Sequence, residues 1–422
     1  MSNVEGHITG GILWLRKTSA PSLSAARLIP RFRNVYDYLA LALVLLYFVR
    51  MSILPVFIPQ ASRLMFLGMY GVLVLFLFAI VVSIGRKTIQ GTGLFFLFAV
   101  FASCLFSPYR AQSLQKGIGL LMIITVLGPV LTSKTMAEFR QTAWSVCRLL
   151  ILFVGITSVF WYFLRLPNFG RGPFTGVLSH CMETGPIAGM ACLIALLQAF
   201  ERKSAPWGLA SLLCVAPMLA SGSRIASLSL AAGALVALIF LFQKYRFLFA
   251  VALPLVVLLA MYSGSDDALL NDDSLLGEMT QTLRNKGTIN TREHIWDARI
   301  EEYRASPVLG VGIGMGEGAG IVRDEEGRIN IEPGSAYLAI LSMTGTTGAA
   351  AFFLLAISLG RRFMRRMNRI QQTTKIEIVS LLTFLSVHAL AEGWILAVGS
   401  LLCMIYWLVV GRLQDLSIQG GQ

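Results

Sequence analysis

Long unbroken apolar stretches, joined by short polar connections, make up most of this 422-residue chain. A helix needs about 20 mostly apolar residues to cross a bilayer, and fewer where the bilayer is thin. On that rule the pattern predicts twelve spans, at 36–56, 64–84, 92–107, 117–133, 143–164, 184–200, 206–222, 225–242, 246–262, 336–359, 375–391 and 394–411. One interval breaks the pattern. From roughly Tyr262 to Ser335 no membrane-grade apolar run occurs, and this stretch holds more than half of the 22 acidic residues. The expected fold is an all-α polytopic integral membrane protein with one long loop domain. The chain then divides into a basic arm 1–35, spans one to nine over 36–262, the loop 263–335, spans ten to twelve over 336–411 and a tail 412–422.

Charge orients this arrangement. Arg86 and Lys87, Lys134 and Arg140, Arg202 and Lys203, Lys244 and Arg246, and the cluster from Arg361 to Arg369 all fall in even-numbered connections, which the positive-inside rule places in the cytoplasm. Both termini are then cytoplasmic and the acidic loop faces outward, with Arg110, Lys116, Arg165 and Arg171 as exceptions. A net charge of +13 would point to nucleic acid in a soluble protein. Here the basic residues sit at the ends of apolar runs, which removes nucleic acid from the expected partners. No cleavable signal is expected, because Arg16, Lys17, Arg27, Arg31 and Arg33 precede the first adequate apolar run near Tyr36. The arm is read as interfacial around Ile12–Leu15 or as plain disorder. Five of the six cysteines lie inside apolar runs and only Cys181 is placed on the outer side, so packing is their expected role, with no disulfide framework and no zinc spacing.

Several motifs carry chemistry, each with a bland alternative beside it. Arg224, in Ser221-Gly-Ser-Arg224, lies near hydrocarbon, where an arginine persists with a partner, in a wet cavity, or by snorkelling to the interface. The loop segment Thr291–Pro307 repeats Ile295, Trp296, Arg299, Ile300 and Tyr303 at helical spacing, which predicts an amphipathic helix across the outer mouth. Arg292, Arg299 and Arg304 on that helix are positioned for an anionic ligand, or are ordinary surface charges. His294 beside Glu293 is read as exposed. The run Gly310-Val-Gly-Ile-Gly314 lacks the strand–turn–helix context of a dinucleotide site and is read as a flexible turn or a nest of backbone N–H groups. Glu332 precedes a proline at the mouth of the tenth span, a place for a proton acceptor or for an acid favoured by the helix dipole. His180 with Glu183, and His388 with Glu392 at i and i+4 if helical, face the same side; proton transfer, hydroxyl binding and interhelical hydrogen bonding all remain open.

At these residues the chain resembles the O-antigen ligase and polysaccharide polymerase family of bacterial envelope glycosyltransferases. The resemblance is carried by Ser223-Arg224, by Arg292-x-x-x-Trp296 with Pro307 and the Gly310–Gly314 run, and by Ser335-Ala-Tyr337-Leu338 followed by Gly345 and Gly348. It covers about residues 174–396. It implies a GT-C-like, metal-independent enzyme of the bacterial inner (plasma) membrane, without cofactor, whose periplasmic site moves a glycan from undecaprenyl diphosphate to an acceptor hydroxyl. Arg224 and Arg292 would hold the diphosphate, with Arg299 and Arg304 beside them, and Trp296, Ser335 and Tyr337 would meet the glycan or acceptor. Forked guanidinium contacts suit phosphate, and stabilising the departing diphosphate lowers the barrier. One departure matters. Relatives commonly carry His-Asn where this chain has Gly334 and Ser335, and His-x-Asn where it has His180-Cys-Met182. The proton-acceptor role therefore moves to Glu332, with His388 and His180 behind it, and Glu392 stands among the catalytic candidates beside His388.

The resulting expectation is a polymerase that joins lipid-diphosphate-linked repeat units. A ligase placing the glycan on lipid A-core or another acceptor stands beside it, and a lipid or polysaccharide transporter or flippase is the alternative of another class. Expected partners are the undecaprenyl-diphosphate-linked donor, a glycan or lipid-linked acceptor, membrane lipids, and a chain-length regulator or export component.

Overall fold

The computed structural model describes residues 34–82, 88–170, 173–241, 293–314, 321–323, 329–331 and 334–419. Its helices are α1 (Val35–Met51), α2 (Leu54–Phe57), α3 (Pro59–Val82), α4 (Gly91–Phe106), α5 (Arg110–Val126), α6 (Lys134–Phe163), α7 (Cys181–Arg202), α8 (Ala205–Ala220), α9 (Arg224–Leu241), α10 (Glu293–Ala305), α11 (Ala336–Arg366), α12 (Gln372–His388) and α13 (Leu401–Gln419). Two short antiparallel pairs accompany them, Thr88–Ile89 with Leu131–Thr132 and Ile321–Arg323 with Ile329–Ile331. Every expected span overlaps a helix except the ninth, 246–262, which lies outside the described residues. By length and composition five of the described helices are fit to cross a membrane, namely α6, α7, α9, α11 with the turn that follows it, and α13. Apolar side chains such as Leu67, Phe78, Phe98, Phe153, Leu212 and Phe353 stand exposed on the outside of the bundle. A belt of that kind suits lipid and not water.

Contacts between helix ends define two faces of the bundle. At one, here termed the mouth, Ser179 N–H donates to Met51 O at 2.9 Å, Ala336 N–H to Ala389 O at 2.9 Å, and Ser107 Oγ to Val311 O at 2.7 Å. The ends of α1, α4, α7, α11 and α12 therefore meet there. At the far end Thr142 Oγ1 donates to Asp37 Oδ1 at 2.6 Å and Arg148 reaches Glu377 at 3.3 Å. Asp37 also closes a capping box with Asn34, which fixes the start of α1.

The far end corrects two expectations. Arg140 was expected in a solvated connection, yet it lies inside α6 and is fully buried. Its Nε donates to Asp415 Oδ2 at 2.9 Å, its Nη2 to Asp415 Oδ1, and its Nη1 to Gly128 O at 3.0 Å and Leu131 O at 3.1 Å. The segment 412–419, expected as a separate tail, continues α13, with Arg412, Gln414 and Asp415 buried. Pairing with Arg140 removes the reason for the chain to leave the helix where its apolar run stops.

The mouth corrects two more. The last span does not begin at Trp394. Residues 389–400 form a non-helical loop, mostly buried, and α13 starts at Leu401. Irregular backbone at such depth needs internal partners, and it has them: Tyr47 Oη donates to Val398 O at 3.0 Å and Trp407 Nε1 to Ile395 O at 3.1 Å. The glycine run is neither a flexible turn nor an anion nest. Val311 and Gly312 spend their N–H groups on Ser342 O and Met343 O, both at 3.0 Å, beside a break in α11 at Gly345 (φ 65°). Gly310 has φ 74°, and a Cβ there would lie 2.3 Å from the Met343 carbonyl carbon; one on Gly345 would lie 2.3 Å from that of Val308. Two backbones touch where no side chain fits. Gly310→Ala is expected to cost at least about 2 kcal/mol through the left-handed backbone and the clash. A thermal melt would read it against Gly360→Ala, where the new Cβ meets nothing within 4 Å.

Candidate functional site at the mouth

Arg224 opens α9 directly after the turn Ser221–Gly222 (φ 69°). Ser221 Oγ donates to Met218 O at 2.6 Å, and Ser223 Oγ accepts from Ala226 N at 3.4 Å, so small hydroxyls tie the turn to both helices. Arg224 itself is exposed. A cation at a helix N-terminus sits at the wrong end of the dipole, and only an anion is attracted by both. Gly185, in the first turns of α7, lies so close that a Cβ would stand 2.5 Å from Ser221 Oγ and 2.9 Å from Ser223 Cβ. The Arg224 turn and the start of α7 are therefore neighbours.

His180 caps α7, with Nδ1 accepting from Met182 N at 3.1 Å, and is exposed. His388 ends α12 and is 1% exposed, stacked on Phe384 with ring centroids 6.2 Å apart. Its Nδ1 accepts from Trp394 Nε1 at 2.9 Å. In both neutral imidazoles the proton must then sit on Nε2, which makes each ring a donor there. Glu392 does not share a helix face with His388, because α12 stops at His388 and the chain tightens into turns, with Leu390 N–H on Val387 O at 3.1 Å and Ala391 N–H on His388 O at 3.4 Å; the i, i+4 expectation is corrected. Glu392 is 9% exposed within the loop. Phe384 connects this corner to the previous one. Its ring lies against Gly189 of α7, and its Cβ faces Gly233 of α9.

Helix α10, termed the lid helix below, forms over Glu293–Ala305 with a narrower buried face than the amphipathic pattern suggested. Ile295 and Arg299 are 2% and 1% exposed, whereas Ile300 is open to the surroundings. Arg299 does not project outward: its guanidinium pairs with Glu302 Oε2 at 2.7 Å. Arg304 is exposed and Trp296 half-buried. Gly334 has φ 64°, and a Cβ there would lie 2.8 Å from Ile295 Cγ2 and 3.2 Å from Trp296 Cδ1. The lid helix thus occupies the space a side chain would need. Ser335 beside it is buried at the start of α11, and Tyr337 Oη donates to Ser386 O at 3.1 Å. Ser335, Tyr337, His388, Glu392, Trp296 and Arg299 are gathered around the α11–α12 corner, with His180 and Arg224 on the α7–α9 side. Arg292 and Glu332 lie outside the described residues.

Arg50, Trp394 and Gly399 also stand at this face and were not among the expected site residues. Arg50 was the detectable one: it interrupts the end of the first apolar run, where an ionisable residue signals function.

A bundle of apolar helices with a lipid-suited exterior, and with arginine, histidine and carboxylate groups gathered at one mouth, is an integral membrane protein of the helical class. Residues 209–353 match the O-antigen ligase family model, a stretch from α8 to the middle of α11 that contains Arg224, the lid helix, Ser335 and Tyr337. That match supports the O-antigen ligase and polymerase family, whose members are glycosyltransferase-like enzymes. No curated protein matches the chain.

Proposed function

We propose that this protein is a polysaccharide polymerase that transfers undecaprenyl-diphosphate-linked repeat units to an acceptor glycan at the periplasmic face of the inner membrane, without a metal. The observation that carries the reading is Arg224 at the N-terminus of α9, inside the family-matched region and one turn from α7. In the reaction the acceptor hydroxyl oxygen bonds to the anomeric carbon of the donor sugar while the bond from that carbon to the diphosphate oxygen breaks. The diphosphate leaves with the electron pair, and Arg224 and Arg292 meet its charge. The hydroxyl proton passes to a carboxylate, assigned to Glu332 with Glu392 behind it. His180 and His388 act as hydrogen-bond donors through Nε2. The twelve-span topology with both termini in the cytoplasm, and a chain-length or export partner, belong to the same proposal.

Polymerisation is preferred to ligation because the resemblance implies a histidine at the place where this chain has Gly334, packed against Ile295 and Trp296. Supplied with undecaprenyl-diphosphate repeat units alone, purified protein is expected to give a ladder of lengthening products. A single addition that requires a different acceptor would identify a ligase, and no covalent product would return the transporter reading. Glu332→Gln in the same assay is expected to lose most of the rate and keep donor binding; wild-type turnover would remove Glu332 from the proton-acceptor role.

A further inference from the structure

On the side of α7 away from the Arg224 turn lies a second polar cluster that the proposed reaction does not use. Arg50, in the last turn of α1, donates through one terminal nitrogen to Gly399 O. A Cβ on Gly399 would stand 2.6 Å from that nitrogen, so the glycine makes the approach possible. The guanidinium lies over Phe66 at 5.2 Å, and Phe66 meets Tyr70 edge-on at 4.7 Å. Glu183, in the first turn of α7, accepts from Leu401 N–H and is close enough to feel the charge of Arg50. Among the described residues no ion pair joins the two.

Each group keeps one buried atom without a hydrogen bond among the described residues: the donor Nε of Arg50 and the acceptor Oε2 of Glu183. Leaving either unmade in a native structure is costly and calls for an occupant. An anion would be repelled by Glu183 and a cation by Arg50, and an apolar group would satisfy neither. A hydroxyl both donates and accepts, which is the complement required. Arg50, Phe66, Tyr70 and Glu183 are all half-buried as residues, and the two rings supply aromatic faces for the apolar side of a sugar ring.

We propose that Arg50 and Glu183, walled by Phe66 and Tyr70, form a carbohydrate-hydroxyl subsite that holds the acceptor glycan. Assignment to the acceptor rests on the polymerase reading; sugar binding itself does not. Donor diphosphate and acceptor sugar then approach from opposite sides of the first turn of α7.

The full chain in lipid nanodiscs is titrated with defined hexose and N-acetylhexosamine disaccharides and followed by saturation-transfer NMR, which needs no turnover. Wild type is expected to bind at least one of them. Glu183→Gln and Gly399→Ala, the second of which displaces the guanidinium without touching either charge, are each expected to weaken binding at least tenfold with the thermal midpoint held. Gly360→Ala, where the new Cβ meets nothing within 4 Å, is expected to leave it unchanged. Absence of binding by wild type, or wild-type affinity in both variants, overturns the subsite and leaves an internal water bridging a structural strap. Binding that behaves as expected in a protein that makes no ladder would instead overturn the polymerase reading alone.

Discussion

Arg224→Ala is expected to lower glycan transfer at least about a hundredfold while the protein folds normally. Removing one pre-placed donor from a developing anion typically costs about 10²–10³ in rate, and a phosphate leaving group depends on the guanidinium more than a carbonyl oxyanion does. The fold should not notice. Arg224 is exposed at the start of α9, and substitutions at such positions usually stay within about 0.5 kcal/mol. Arg224→Lys separates charge from geometry: it keeps the cation, loses the fork, and is expected to fall between wild type and alanine. Radiolabelled product formation with a thermal melt on the same preparation checks both halves. Unaltered product would remove Arg224 from the site.

The second large effect lies at the opposite end of the bundle and concerns stability. Asp415→Ala is expected to cost about 3–5 kcal/mol, because it strands the fully buried Arg140 with its charge only partly met by the carbonyls of Gly128 and Leu131. Arg412, whose guanidinium lies 3.7 Å from Asp415, adds a second cation to the stranded site. Replacing both partners by apolar residues, Arg140→Met with Asp415→Leu, is expected to recover much of the loss, since the desolvation of both charges disappears together. Chemical unfolding in detergent micelles reads these differences. A midpoint for Asp415→Ala equal to that of wild type would show that the pair contributes nothing.

The same residues explain what the sequence disclosed. Spans were legible because apolar runs of helix length are a direct consequence of the bilayer, and the helices over 134–163, 181–202 and 336–366 contain the runs that announced them. Their ends were not legible. Asp415 and Arg412 look like the start of a soluble tail until Arg140 is placed opposite, 275 residues away in sequence. Gln112, Gln115 and Lys116 delayed the expected fourth span to residue 117, although α5 begins at Arg110 and Lys116 Nζ reaches Gly314 O at 2.8 Å. Most of the loop 389–400 was read as helix because its residues are apolar; what keeps it irregular is a set of donors from Trp407 and, far away in sequence, from Tyr47 and Arg50 of α1.

For the candidate site, residue types were legible in the sequence but their surroundings were not. His180 and His388 were found, yet only the partners of Nδ1, Met182 N–H and Trp394 Nε1–H, turn them into donors. Arg299 looked equivalent to Arg304 in the helical pattern, and burial against Glu302 separates them. The glycine run suggested anion binding because that is its commonest chemistry, and its N–H groups proved to be spent on a broken helix.

The most direct test of an anion site at the mouth is a cryo-electron microscopy structure of the chain with undecaprenyl diphosphate bound. Diphosphate density is expected about 3 Å from the Arg224 guanidinium, on the face where the ends of α7, α9, α11 and α12 meet. Diphosphate at the Arg140–Asp415 end, or at the mouth but away from Arg224, would contradict it.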